Sequence, residues 1–309
     1  MAAAASTKSQ MKKTRILIIS DTHTATPYEQ GDTEHAFRWP LPEADVLLHC
    51  GDLTGSGALY QHERTVEMIK KASAKLKIVI PGNHDITLDE IYYQRDWWLH
   101  GSGSGKQDLH ACRELYTNTE AEEAGLVYMV EGTRTFNVNG AKFTVYASAY
   151  TPEFCKWAFA YERDKDRFNP SSQPLHPVPD HGEVDIMVTH GPPFGILDET
   201  KRGVQAGCEH LSYAVSRCKP RLHAFGHIHE AWGAVRMNWV NMTANQIKVP
   251  EKEQLVRDGA AFVDVSSEGG TPLEFGKETL FVNASIMDLS YCLTNAPFVV
   301  DVDLPVAEP

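Results

Sequence analysis

Asp45-Val46-Leu47-Leu48-His49-Cys50-Gly51-Asp52-Leu53-Thr54 is the stretch on which the fold turns. A short apolar run that stops abruptly at Gly51-Asp52 reads as a buried strand delivering a carboxylate at its carboxyl end. The flanking segments repeat the theme. Residues 14–20 form an Ile/Leu-rich run ending at Asp21-Thr22-His23, and residues 76–80 form another, ending at Pro81-Gly82-Asn83-His84-Asp85. Between the second and third runs, residues 59–74 carry Leu59, Val66, Ile69 and Ala72 at core-facing helical spacing, with Glu67 and Lys71 as an i,i+4 pair. Alternating strands and helices predict an α/β chain with a mostly central sheet and helices outside.

Further along, residues 127–149 read as paired strands around an Asn139-Gly140 turn, a strong hairpin signal. Residues 185–189 form a strand ending at His190-Gly191-Pro192-Pro193. Residues 208–218 form a helix, and residues 222–225 form a strand ending at Gly226-His227-Ile228-His229. Residues 280–284 and 298–303 supply two last strands. The pattern blurs at 87–125 and 241–277, which read as insertions, and the Gly/Ser stretch at 101–105 reads as a flexible loop. Residues 169–179 are Pro-rich and predict a surface loop. Residues 1–13 are expected to be a flexible tail, leaving 14–309 as a single domain.

Composition narrows the function classes. Of 309 residues, 41 are Asp or Glu and 29 are Lys or Arg, a formal net charge of -12, so non-specific nucleic-acid binding is not expected. Six scattered cysteines without C-x-x-C spacing read as reduced, mostly packed thiols. The Ala/Ser/Lys-rich N-terminus lacks the apolar region of a signal peptide, and no apolar run nears the ~20 residues of a membrane helix. A cytoplasmic protein without a membrane partner is the expectation.

Five strand ends thus carry polar residues where a strand should simply stop: Asp21 with His23, Asp52, Asn83 with His84, His190, and His227 with His229. Ligands sit at the carboxyl ends of strands in open α/β sheets, so all of these point to one rim. Taken singly, each could be a turn or cap residue. Together they are hard to explain as packing. A separation of two puts His227 and His229 on one face of an extended segment. Imidazoles, carboxylates and one amide carbonyl suit two divalent first-row ions such as Mn, Fe, Zn, Co or Ni. Asp52 has two oxygens and can bridge such a pair. Two ions together lower the pKa of a bridging water and clamp the attacking and leaving oxygens of a displacement.

In this order, Asp21-x-His23, Gly51-Asp52, Gly82-Asn83-His84-Asp85, His190 and Gly226-His227-x-His229 resemble the calcineurin-like metallophosphoesterase superfamily. His49–Thr54, Thr189–Pro193, Gly226–Glu230 and Phe281-Val282-Asn283-Ala284-Ser285 look like its metallophosphoesterase-domain-containing branch, which includes cyclic nucleotide phosphodiesterases of mammalian brain and fungal relatives. The resemblance implies a two-sheet β-sandwich flanked by helices, a four-layer αββα arrangement. It implies that Asp21, His23, Asp52 and His229 hold one metal and that Asp52, Asn83, His190 and His227 hold the other, with manganese favoured. His84 would protonate the leaving oxygen, with Asp85 orienting it. The expected activity is hydrolysis of a small phosphodiester substrate, cyclic nucleotides first among them, by attack of a metal-activated water.

The alternatives are a phosphomonoesterase or protein phosphatase on the same metals, and a non-catalytic scaffold. Ile86-Thr87 follows Asp85 where a protein phosphatase would be expected to place arginine, and every ligand position is filled, which disfavours a scaffold. Tyr92, Tyr93, Trp97 and Trp98 could stack on a nucleobase, but packing of an aromatic helix face on the core is the simpler expectation.

Overall fold

The computed structural model describes residues 10–307 except Ser102 and Ser104. Its strands, in chain order, are β1 Met11–Ile19, β2 Val46–His49, β3 Leu76–Val79, β4 Leu126–Tyr128, β5 Glu131–Val138, β6 Ala141–Ser148, β7 Thr151–Pro152, β8 Ala160–Tyr161, β9 Ile186–Thr189, β10 Leu222–Phe225, β11 Gly233–Asn238, β12 Thr243–Gln246, β13 Ala261–Asp264, β14 Glu278–Asn283 and β15 Phe298–Pro305. The helices are α1 Leu59–Lys71, α2 Glu90–His100, α3 Leu109–Thr117, α4 Thr119–Glu123, α5 Glu209–Cys218 and α6 Lys252–Asp258.

One sheet has the order β13-β15-β1-β2-β3-β4 and the other β12-β11-β14-β10-β9-β6-β5. Within the first, β1 through β4 run parallel. Within the second, β6, β9, β10 and β14 do so. Strand alternation sorts the apolar side chains into layers. Ile16, Ile18, Leu48 and Ile78 face Phe143, Val145, Val188 and Val282 between the sheets. Their neighbours Leu17, Ile19, Leu47 and Val79 pack outward with Val66, Ile69, Tyr93 and Tyr116 of α1, α2 and α3. On the far side, Met187, Phe225 and Phe281 pack with Leu211, Ala214 and Val215 of α5. The result is the expected sandwich of two sheets with helices on both outer faces.

The structure adds detail where the pattern was weak. Residues 11–13, expected in the tail, pair antiparallel with residues 303–305 of β15, which satisfies their backbone groups. Residues 1–9 of that tail lie outside the described residues, as do Ser102 and Ser104 of the Gly/Ser stretch. The 87–125 segment forms α2, α3 and α4, and Tyr93 and Tyr116 from it are almost wholly buried. In 241–277, β12 and β13 extend opposite sheets by one edge strand each. Asn139 and Gly140 adopt φ of 51° and 84°, the left-handed pair a two-residue hairpin between β5 and β6 requires. The strand expected from residue 127 belongs instead to β4, in the other sheet.

The six cysteines are free, four of them buried. Among the described residues no helix is long and apolar enough to cross a membrane.

Candidate metal centre

The carboxyl ends of β1, β2 and β3 in one sheet and of β9 and β10 in the other meet at a common rim. An isolated bridge between Ser20 and Ser285 joins the sheets there. The approach is close enough that side chains are excluded. A Cβ on Gly226 would strike the Asp21 carboxylate and Ser20, and one on Gly82 would strike the backbone and carboxylate of Asp52. These glycines therefore let the two donor-bearing loops touch.

Asp21, His23, Asp52 and His229 each offer a ligand atom, all within 4.8 Å of one another, and Asp52, His190 and His227 form a second such group. Asp52 belongs to both. Its Oδ2 lies 3.6 Å from His23 Nε2, and its Oδ1 lies 3.3 Å from His190 Nε2. Asn83 joins the second group, its Oδ1 2.8 Å from His190 Nε2. Asp21 Oδ1 is 3.4 Å from His229 Nε2.

Backbone conformation at the rim is costly. Asp21, His23, Asp52 and His227 adopt φ of 54°, 42°, 51° and 69°. Non-glycine residues rarely occupy this left-handed region, and such strain persists only where the surroundings over-determine it. Here His23 N–H donates to Asp52 O, Asp21 N–H to Gly51 O, and His227 N–H to the Asp21 carboxylate. The single hydrogen of Ser285 Oγ is shared between Asp21 Oδ2 at 2.9 Å and Asn283 Oδ1 at 3.0 Å, while Asn283 Nδ2 donates to the carbonyl of Ile228.

The imidazoles are fixed as ligands are. His23, His190 and His229 place Nδ1 against the carbonyls of Thr54 at 3.3 Å, Cys50 at 2.9 Å and Asp288 at 3.1 Å. A carbonyl only accepts, so each Nδ1 carries hydrogen and each Nε2 is directed into the cluster. His23 Nε2 and His229 Nε2 approach to 3.3 Å.

Burial and neighbouring charge compete in the titration of these groups. It holds His23 down to about 4 and His227 down to about 3. In His190, burial is overridden by the Asp52 carboxylate, which raises it to about 9. In His229, burial is overridden by Asp21, again raising it to about 9. Burial alone would raise both carboxylates, but His229 holds Asp21 below the usual range, and His190 and His84 do the same for Asp52. Buried carboxylates thus draw positive charge to a place whose burial resists it. Four inward nitrogens, two carboxylates and an amide oxygen fit a pair of divalent cations, and the residues present suit a dinuclear site.

His84 lies half-buried beside the cluster. Its backbone N–H donates to Asp52 Oδ1 at 2.8 Å, and its Nδ1 lies 2.9 Å from Gly55 O. Trp157 stacks on its ring at 3.9 Å. The expectation that Asp85 orients His84 directly is corrected. The Asp85 carboxylate accepts from the backbones of Leu53, Thr54 and Gly82 and from Thr54 Oγ1. A buried carboxylate takes the nearest converging N–H groups, and the tight turn supplies them. The Asp85 carboxylate thus ties residues 53–54, next to Gly55, to the 82–85 turn.

The shared face expected for His227 and His229 is also corrected. β10 ends at Phe225, and the left-handed His227 sends the two side chains to different groups.

Sequence reasoning assigned no role to Ser285, Asn283 or Trp157. The first two stand in the quoted 281–285 block, which was a signal for them, but nothing marked Trp157. The aromatic residues at the cleft are Phe154, Trp157 and Tyr291, not the α2 group, in which Tyr92 and Tyr93 are core and Trp98 is exposed.

The sequence pattern of the family described as calcineurin-like phosphoesterase matches residues 14–231. Human metallophosphoesterase domain-containing protein 1 is 29% identical over 298 residues, spanning 94% of this chain and 72% of that protein, and the mouse protein of the same name gives the same values. A protein of Emericella nidulans described as probable rhamnogalacturonate lyase C is 30% identical over 227 residues, which is 73% of this chain and 18% of that protein.

Proposed function

The chain belongs to the calcineurin-like phosphoesterase family, and on that premise we propose that it is a dinuclear metal-dependent phosphodiesterase acting on small phosphodiesters, with cyclic nucleotides as the favoured substrates. The observation that carries the reading is Asp52 presenting one oxygen to each of two donor groups. Asp21, His23, Asp52 and His229 would hold one ion, and Asp52, Asn83, His190 and His227 the other. Imidazole, carboxylate and amide donors suit first-row divalent ions generally, and manganese is the one proposed here. When bound, such a pair supplies Lewis-acid activation of water and neutralises charge on the phosphoryl oxygens.

The remaining chemistry falls to the chain. His84, anchored through Nδ1 to Gly55 and stacked on Trp157, faces the cleft with Nε2 and delivers a proton to the leaving oxygen. Asp85 acts as a positioning residue by clamping residues 53–54 beside Gly55.

The charge of the cleft favours a diester over a monoester. Arg163 is the Lys or Arg among its lining residues, it donates to the carbonyls of Ala206 and Gly207, and the Glu230 carboxylate in the same lining offsets its charge. A singly charged diester needs no cation beyond the metals, whereas a dianionic monoester would gain from a free arginine. Two exposed unpaired cysteines, Cys155 and Cys292, suit the reducing cytoplasm.

The test compares bis(p-nitrophenyl) phosphate with p-nitrophenyl phosphate in added manganese, followed by a panel of 2′,3′- and 3′,5′-cyclic nucleotides. Preference for the monoester would discard the diesterase assignment.

A further inference from the structure

The cleft at the metal centre has a volume of about 320 Å³ and opens into a larger groove of about 1310 Å³. The two share Phe154, Arg163, Thr200, Ala206, Glu230 and Leu289. The groove is walled by apolar side chains that a soluble surface would ordinarily cover. Phe154, Phe194, Val204 and Leu289 are 60%, 38%, 57% and 51% exposed, and Tyr291 stands at the cleft end at 53%. Single exposed apolar residues need no explanation, but four converging on one groove, with Tyr291 in the adjoining cleft, mark a binding surface.

Charge narrows what fits. Arg163, Lys201 and Arg202 line the groove, but so do Asp164, Glu209 and Glu230. The formal charges cancel, so a second phosphate finds no net attraction there. The groove also has a side. Phe154 lies 6.5 Å from His227, and Leu289 follows Asp288, whose carbonyl anchors His229. Neither His84 nor its stacking partner Trp157 is among the groove residues.

We propose that this groove binds a bulky apolar alcohol esterified to the scissile phosphate, giving the enzyme a further activity on acyclic phosphodiesters of alkyl or aryl alcohols. The inference rests on the phosphodiesterase reading and adds a substrate class to it. The alcohol in the groove lies away from His84 and stays on phosphorus, while the other ester oxygen leaves. Water contributes its oxygen to phosphorus, the bond from phosphorus to the leaving oxygen breaks, and that oxygen takes the proton. The products are the monoester of the apolar alcohol and a free alcohol, with no further reactant required.

The test uses the full chain with manganese and two esters sharing one leaving group, octyl p-nitrophenyl phosphate and methyl p-nitrophenyl phosphate. The octyl ester should show a kcat/KM roughly tenfold or more above the methyl ester, carried mainly by KM. Phe194→Ser and Val204→Ser, both at exposed positions, should each shrink that ratio. Equal kcat/KM for the two esters overturns the proposal, and so does a ratio that persists in both variants. If neither ester turns over, the phosphodiesterase reading fails and the groove is judged by binding alone. Calorimetry with the uncleavable octyl methylphosphonate should then give tighter binding than methyl methylphosphonate, and equal or absent binding overturns the groove assignment.

Discussion

At the residue scale, the roles proposed for Asp52 and His84 lead to different expectations. His84→Ala should lower kcat by about 10²- to 10⁴-fold, the usual worth of a positioned acid, while metal analysis still finds about two ions per chain. Metal content that falls with activity would make His84 a structural support instead. Asp52→Asn should behave differently. It removes the carboxylate facing both donor groups, so both ions should be lost, whereas Asp21→Asn should weaken one. Loss of a single ion in Asp52→Asn would contradict the shared-carboxylate arrangement. The identities of the donors were legible because each closes an apolar run, a pattern that survives in sequence. Their partners were not. Asp85 next to His84 suggests a direct contact, yet its carboxylate is claimed by four donors from the surrounding turns. Nor does spacing reveal that His227 is left-handed, which is why it parts from His229.

At the element scale, a buried chain of hydrogen bonds ties α1 to α3 and to the turn after the 82–85 block. Thr87 Oγ1 donates to Gly57 O, so it accepts from His62 Nε2, and His62 Nδ1 accepts from Tyr116 Oη. The ring is thus held neutral, and burial pushes it down to about 3. Unfolded histidine titrates near 6.5, so between about pH 6.5 and 3 the unfolded chain binds more protons than the folded one. Stability from this residue is therefore complete above that window and is lost as pH falls, by about 1.4 kcal/mol per pH unit. Urea midpoints at pH 7 and pH 4.5 should fall less steeply with acid in His62→Gln than in the unchanged protein. An identical slope would remove His62 from the acid response. None of this network could be read from the sequence, since 87–125 lacks clean periodicity and its helices are held by tertiary burial of Tyr93 and Tyr116.

At the scale of the whole molecule, strand and helix alternation was enough to give the α/β class, because buried strands and the core face of α1 have distinct periods. The division into two sheets was not readable from periodicity. A strand's apolar pattern does not say which sheet it joins, and β4 and β5 are neighbours in sequence yet lie in different ones. Only the resemblance implied the sandwich. Chelation should reach beyond catalysis. A ligand at a hundredfold excess over its Kd adds about 2.7 kcal/mol to the folded state, so adding EDTA to the metal-loaded protein should lower Tm by about 5 °C or more. An unmoved Tm would mean that the donors hold no ion tightly.

The same rim has a mechanical side. Asp21 and Asp52 belong to one sheet and His190, His227 and His229 to the other, so each cation would be grasped from both halves of the sandwich, like a hasp across two leaves. Emptying it should leave the leaves joined at that edge by the Ser20–Ser285 bridge and the hydrogen bonds to Asp21, and readier to gape there first. Amide exchange ought then to quicken at residues 20–23, 51–53 and 226–229 well before it does in the middle of β1 or β14.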